Sequence, residues 1–234
     1  MQQYFAKNKN LDLEDGDYHH IKNVMKMKRG DLIKVVYDKI IYTCKLNNVS
    51  NKSTFDIINK EEKTDKKLSV SVAFSLIKEQ KLNYLLQKTT ELGVNKLIPI
   101  ETKRSVVKIE GNKEKTKIDR WKKICKEASE QSFRADIPEI SGILTLKNLV
   151  NLDYDLKLVC SLNKNTKNIK KILEKNNKCV KILLVVGPEG GFDPLEEEYL
   201  LENGFKSVSL GENVLRAETA PVVALSMINY EFMR

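Results

Sequence analysis

Hydrophobic and polar positions fall into two patterns along the chain. Ile182-Leu183-Leu184-Val185-Val186 is apolar at successive positions, as in a strand covered on both faces of a sheet. Gly187-Pro188-Glu189-Gly190-Gly191-Phe192 interrupts the run, and Asp193, Pro194 and Glu196 then supply a helix cap, a proline at the first helical position and a capping-box acid. Ser207-Val208-Ser209-Leu210 predicts another short strand, broken by Gly211. The segment from Glu212 to Thr219 leads into an apolar helix starting near Ala220-Pro221, with Thr219 as its cap. Two strand, loop and helix units in succession imply adjacent strand ends whose loops wall one pocket, where open α/β sheets hold ligands.

Upstream the alternation continues. Ser69 to Phe74 reads as a strand, Leu82, Leu85, Leu86 and Thr89 share a helical face that Gly93 ends, and Lys96 to Ile100 is the next strand. Ile118, Trp121, Ile124, Cys125 and Ala128 mark a second amphipathic helix, Leu156 to Cys160 a strand, and Ile169, Ile172 and Leu173 a helix. Strands alternating with helices predict a largely parallel α/β sheet. No internal repeat is evident.

Residues 1 to about 67 differ. Asp17 is placed to cap a short helix with Ile21, Val24 and Met25 on one face, ended by Arg29-Gly30. Leu32 to Val36 and Ile40 to Cys44 read as strands around Asp38-Lys39, with Thr54 to Ile58 as another, a small β-barrel in outline. The wholly polar stretch Lys60 to Lys67 marks the domain boundary. We therefore expect domains over 1–67 and 68–234.

Composition narrows the classes. Lys and Arg outnumber Asp and Glu by 41 to 32, and a net charge of +9 suits a polyanionic partner, although a Lys- and Asn-rich composition yields the same excess. No apolar stretch reaches membrane-spanning length and the N-terminus does not read as a signal peptide, so a cytoplasmic protein without membrane contact is expected. Cys44, Cys125, Cys160 and Cys179 show no paired spacing, and the adjacent His19 and His20 point apart on a helix; neither a metal site nor a disulfide framework is expected. A nucleotide hydrolase would need a Gly-Lys-Ser/Thr loop and a dinucleotide enzyme GxGxxG; both are absent.

Gly187-Pro188-Glu189-Gly190-Gly191-Phe192, followed by Leu210-Gly211-Glu212-Asn213-Val214-Leu215-Arg216-Ala217-Glu218-Thr219-Ala220, resembles the paired signatures of the bacterial 16S ribosomal RNA uracil-N3-methyltransferases of the SPOUT class. The resemblance extends over nearly the whole chain. His19-His20, Met27 to Asp31, Lys88 to Val94, Arg104-Ser105, Glu127 to Arg134 and Pro138 look like further landmarks. It implies an α/β fold: a C-terminal SPOUT domain with a trefoil knot, preceded by a small PUA-like β-barrel for RNA. It also implies S-adenosylmethionine as cofactor, a homodimer, and methylation at N3 of a uridine conventionally numbered 1498 in the decoding region of small-subunit RNA. One departure is Asp38-Lys39, where the family more often has Asp-Gly.

For such a cofactor, adenine and ribose need backbone amides, carbonyls and apolar walls. Gly187, Gly191, Leu210, Gly211, Val214 and Leu215 supply these, and Leu162, Val186, Thr219 and Ala220 complete the expected cofactor-binding set. Turns demanded only by folding explain one glycine loop and poorly explain two. Arg216 is expected to steady a uracil anion or hold a phosphate, unless it pairs with Glu218 or Glu189; Glu189 is a base or, preferably, a pocket-shaping acceptor. Arg29, Arg104, Gln131 and Arg134 are the expected RNA contacts, with Lys122, Lys123 and Lys126 suited to phosphates or simply to water. A non-catalytic RNA-binding or ribosome-assembly protein remains the competing reading, and cofactor affinity discriminates the two.

Overall fold

The computed structural model of the chain describes residues 1–63, 68–163 and 166–232. The last four positions of the polar boundary stretch, 64–67, lie outside the described residues. The chain divides into two compact units, Met1–Asp65 with Lys126–Ile137, and Lys66–Cys125 with Pro138–Arg234. Segment 126–137, expected from sequence in the second domain, thus packs within the first unit.

The first unit contains β1 (Gln2–Phe5), α1 (Asp15–His19), β2 (Leu32–Tyr37), β3 (Ile40–Leu46) and β4 (Phe55–Glu62), with the sheet in the order β1-β2-β3-β4. β1 was not expected from sequence; it runs parallel to β2 with Gln3 opposite Lys34. The remaining pairs are antiparallel. Among the described residues β1 and β4 are the edges of this sheet, an open ladder where a barrel was outlined. Tyr4, Ile33, Val35 and Cys44 pack with Leu13, Tyr18 and Ile21 in one apolar cluster. The chain near residue 130 is fixed to this sheet by polar bonds: Gln3 Nε2 donates to the Arg134 carbonyl at 2.6 Å, and the Phe5 N–H donates to Glu130 Oε1 at 3.4 Å.

Three local expectations are corrected. Asp17 does not cap the first helix: Glu14 is the N-cap, and its N–H donates to Asp17 Oδ2 at 3.3 Å, the reciprocal half of a capping box. The helix continues into a π turn at His20–Val24, whose wider winding abandons the period assumed for a shared face. Ile21 is therefore buried while Val24 and Met25 are 59% and 39% exposed, and Met25, not Arg29-Gly30, caps the end. At the hairpin, Asp38 (φ 48°) and Lys39 (φ 62°) both adopt the left-handed conformation of a primed two-residue turn. The Asp-Lys departure keeps the hairpin, at a cost of about 1 kcal/mol for a side chain in that region.

The second unit follows the predicted alternation: β5 (Ser69–Ser75), α2 (Glu79–Glu91), β6 (Lys96–Ile100), α3 (Gly111–Gln131, whose last residues belong to the first unit), β7 (Glu139–Ile140), α4 (Leu146–Val150), β8 (Leu156–Cys160), β9 (Lys167–Asn168), α5 (Ile169–Lys175), β10 (Lys181–Val186), α6 (Pro194–Glu202), β11 (Lys206–Ser209) and α7 (Ala220–Phe232). All strands are parallel, in the order β7-β6-β5-β10-β8-β11-β9. The continuous apolar run of β10 is explained by position. Ile182, Leu184 and Val186 enter a core with α2, α3, α5 and α7, while Leu183 and Val185 enter a second core with α4 and α6. Each such fully buried aliphatic side chain contributes roughly 1.5–3 kcal/mol of transfer free energy. Among the described residues no helix is long and apolar enough to cross a membrane.

Candidate functional site

The capping box of α6 fixes where the first glycine loop must end. Asp193 Oδ1 accepts from the Leu195 N–H at 3.2 Å, and Glu196 Oε2 accepts from the Asp193 N–H at 3.2 Å. Between β10 and this cap the chain turns through Gly191 at φ +66°, a conformation open to glycine. Gly187 is required for a different reason: a Cβ there would lie 3.1 Å from the Phe192 ring and 3.2 Å from its backbone nitrogen. Phe192 itself anchors the loop in the core shared by α4 and α6.

This loop, the loop after β11 and the loop after β8 surround a cavity of about 880 Å³ at the carboxyl ends of the strands. β10 and β11 are not adjacent, contrary to the expectation of neighbouring strand ends; β8 lies between them, and its loop Cys160-Ser161-Leu162-Asn163 forms the third wall. The cavity lining brings together Leu162, Val186, Gly187, Glu189, Gly191, Leu210, Gly211, Val214, Leu215, Arg216 and Ala220. Thr219 is outside the lining: its carbonyl accepts from the Val223 N–H at 3.1 Å in the first turn of α7.

The turn after β6 braces the glycine loop along its length. Thr102 Oγ1 donates to Ser75 Oγ at 3.0 Å, and the buried Ser75 hydroxyl donates to the Val186 carbonyl at 3.3 Å. Arg104 Nη1 donates to the Gly190 carbonyl at 3.1 Å, and the Lys103 N–H donates to Glu196 Oε1 at 2.7 Å. Arg104, expected at RNA, thus lines this cavity.

Charge in the cavity is apportioned unevenly. Lys81 Nζ lies 3.0 Å from Glu189 Oε1. Burial pushes the Glu189 carboxyl up, but hydrogen bonds from Lys81 and from its own backbone N–H, with the charges of Lys81 and Lys78, together outweigh it and hold the group below the usual carboxylate range. Glu197 accepts a short hydrogen bond from the Ser161 hydroxyl. Arg216 is exposed in the lining. Its two rival partners are otherwise placed, since Glu189 is held by Lys81 and Glu218 Oε2 is buried without a hydrogen bond among the described residues. Cys160 also lines the cavity, but burial pushes its thiol up to about 12, which removes the nucleophilic thiolate. Lys81, Ser161 and Glu197 were missed by sequence reasoning, because nothing in local periodicity distinguishes them from ordinary polar positions.

The other expected RNA residues belong to the first unit. Arg29 and Gln131 are exposed. Arg134 is not: its side chain is 10% exposed and engages Asp136, with Nη2 to Oδ2 at 2.8 Å and Nε to Oδ1 at 3.3 Å. Lys126 is likewise turned inward, within 3.4 Å of Glu14, 3.0 Å of Asp17 and 3.5 Å of Glu130. Lys122 and Lys123, which belong to the second unit, are exposed. His20 Nδ1 lies 3.0 Å from the Tyr4 hydroxyl, within the same unit. Among the described residues no group of three or more His, Cys, Asp and Glu is placed to share a metal ion.

A parallel sheet with a ligand-sized cavity at its carboxyl edge, following a small β unit, defines an α/β domain built around a small-molecule site. Family comparison specifies the class: residues 64–229 match the RNA methyltransferase domain and residues 13–58 the RNA methyltransferase PUA domain. The ribosomal RNA small subunit methyltransferase E of Bacillus subtilis (strain 168) is 35% identical, over 99% of this chain and 97% of that protein. A methyltransferase of Legionella pneumophila, solved with the cofactor SAM bound, superposes with a TM-score of 0.89 at 28% identity, covering 98% of this chain and 97% of the other. The ribosomal RNA small subunit methyltransferase E of Neisseria gonorrhoeae, bound to S-adenosyl methionine, gives 0.87 at 26% identity, with 98% and 97% covered. The chain belongs to the ribosomal RNA small subunit methyltransferase E family.

Proposed function

We propose that this chain methylates N3 of a uridine, the one conventionally numbered 1498, in the 16S RNA of the small ribosomal subunit, with S-adenosylmethionine as methyl donor. The observation that carries this reading is the convergence of both glycine loops and the Leu162 loop on one cavity, with Arg216 in its lining and Glu189 held by Lys81. The residues fit the cofactor: main chain is bare at Gly187, Gly191 and Gly211, Leu162, Val214 and Leu215 are apolar walls, and Glu197 and Glu198 are acceptors for a cationic ligand. When bound, that group supplies an electrophilic methyl on a sulfonium. The chain's own work is alignment and charge. Val186, Gly187, Leu210 and Ala220 present backbone to the ligand, with Thr219 supporting the helix end behind Ala220. Arg216 stabilises the uracil anion left when N3 gives its proton to water, through charge-assisted hydrogen bonds to a carbonyl oxygen. Glu189 shapes the pocket as a fixed carboxylate; held low by Lys81, it is a poor proton acceptor.

On this reading the first unit, Met1–Asp65 with Lys126–Ile137, binds RNA and the second unit is catalytic, in a cytoplasmic enzyme of ribosome biogenesis. Arg29 and Gln131 serve RNA. A trefoil knot in the catalytic domain and a homodimer complete the proposal. Support for the dimer comes from α7, apolar almost throughout with Tyr230 81% exposed, and from Val214 at 74% exposed. The test incubates the protein with radiolabelled S-adenosylmethionine and small subunits from a strain lacking the modification, then maps the labelled nucleoside. Label in 3-methyluridine is expected; cofactor binding without label rejects this substrate, and no cofactor binding favours a non-catalytic RNA-binding protein.

A further inference from the structure

The last turn of α3 ends in a Schellman motif: the Phe133 N–H donates to the Glu130 carbonyl at 3.4 Å and the Arg134 N–H to the Ser129 carbonyl at 2.9 Å. The residue that must turn left-handed in this motif is Phe133, at φ +54°. Glycine is the usual occupant, because a bulky side chain is strained there. The Phe133 ring does not offset that strain by burial. It is 46% exposed and joins none of the apolar clusters of the described residues, while Lys34 Nζ sits 5.1 Å from its centroid. The position is firmly held, since the Gln3 side chain pins the next carbonyl at 2.6 Å. An aromatic face is thus kept in solvent by a rigid turn, at a site where the fold itself asks for no side chain.

We propose that Phe133 is a stacking platform for an unpaired base of the RNA substrate, a role that rests on the RNA-methyltransferase reading above. Strained backbone at an exposed position points to function when no packing accounts for it. Single-stranded RNA is bound through bases laid on aromatic rings, and the ammonium of Lys34, over one face of the ring, fixes it and adds positive charge while the opposite face takes the base. Arg134, the neighbour first expected to meet RNA, is occupied by Asp136; the RNA-facing group of this turn is the ring.

Phe133→Gly separates function from folding, because it removes the ring and relieves the backbone together. Binding is measured with a 16S RNA transcript and thermal unfolding in parallel. The expected result is an affinity loss of about tenfold, equivalent to ~1.4 kcal/mol, with an unchanged salt slope and an unfolding temperature equal to or above that of the wild type. Phe133→Trp is expected to restore affinity. Transcript affinity within twofold of wild type for Phe133→Gly overturns the proposal, as does a loss seen with assembled subunits and absent with naked RNA, which would indicate a protein contact. Failure of the wild-type protein to bind either RNA would instead reject the underlying RNA-methyltransferase reading.

Discussion

Arg104 Nη1 donates to the Gly190 carbonyl oxygen at 3.1 Å, and the same guanidinium lies 3.9 Å from Asp193. The ion pair is long and half-exposed, so it contributes little. The hydrogen bond is directional, holding the middle of the glycine loop while the Ser75 and Thr102 hydroxyls hold its start. We expect Arg104→Ala to weaken S-adenosylmethionine binding about tenfold, the scale of one charged hydrogen bond of roughly 1.5 kcal/mol. Calorimetric titration with the cofactor checks this. An RNA-contact role would instead leave cofactor affinity intact and reduce the salt slope of RNA binding by about one.

Among the described residues a Cβ at Gly191 or Gly211 would meet nothing within 4 Å beyond its chain neighbours, yet both residues sit at positive φ, +66° and +144°. Gly191→Arg or Gly211→Arg should therefore abolish cofactor binding while the protein still folds, the strain being confined to a loop. Circular dichroism alongside equilibrium dialysis separates the outcomes; unchanged affinity would reject the assigned pocket.

Lys39 occupies the second left-handed position of the β2–β3 hairpin, where Gly or Asn is preferred. Replacing it by glycine relieves the backbone, partly offset by greater freedom of the unfolded chain. Lys39→Gly should stabilise the first unit by about 0.5 kcal/mol, measured as a shift in the urea midpoint. A lower midpoint would show that the Lys39 side chain contributes more than its backbone costs.

Burial pushes the Glu130 carboxyl up to about 7; the nearby charge of Asp17 adds to this, while Lys126 and the Phe5 N–H oppose it. Between the ordinary value of 4.5 and about 7, the native state keeps a proton that the unfolded chain has released. Stability from this group is present in full below 4.5 and is lost as pH rises toward 7. Glu130→Gln should flatten that fall relative to wild type in denaturant titrations across the interval. Parallel pH profiles for the two proteins would exclude the assignment.

Sequence by itself determined what depends on local stereochemistry and periodicity. The apolar run 182–186 required a doubly covered strand, Asp193-Pro194 with Glu196 required a helix start, and the two glycine segments announced loops shaped for a ligand. Tertiary structure decided what depends on neighbours distant in the chain. It interposed β8 between β10 and β11 and so brought Leu162 to the cavity; it set Lys81 against Glu189, and Arg104 against Gly190. It also turned Lys126 and Arg134 inward and left Phe133 outside. A residue's type states which bonds it can make, but partner and solvent access are fixed only when separate elements pack, and those contacts leave no period in the sequence.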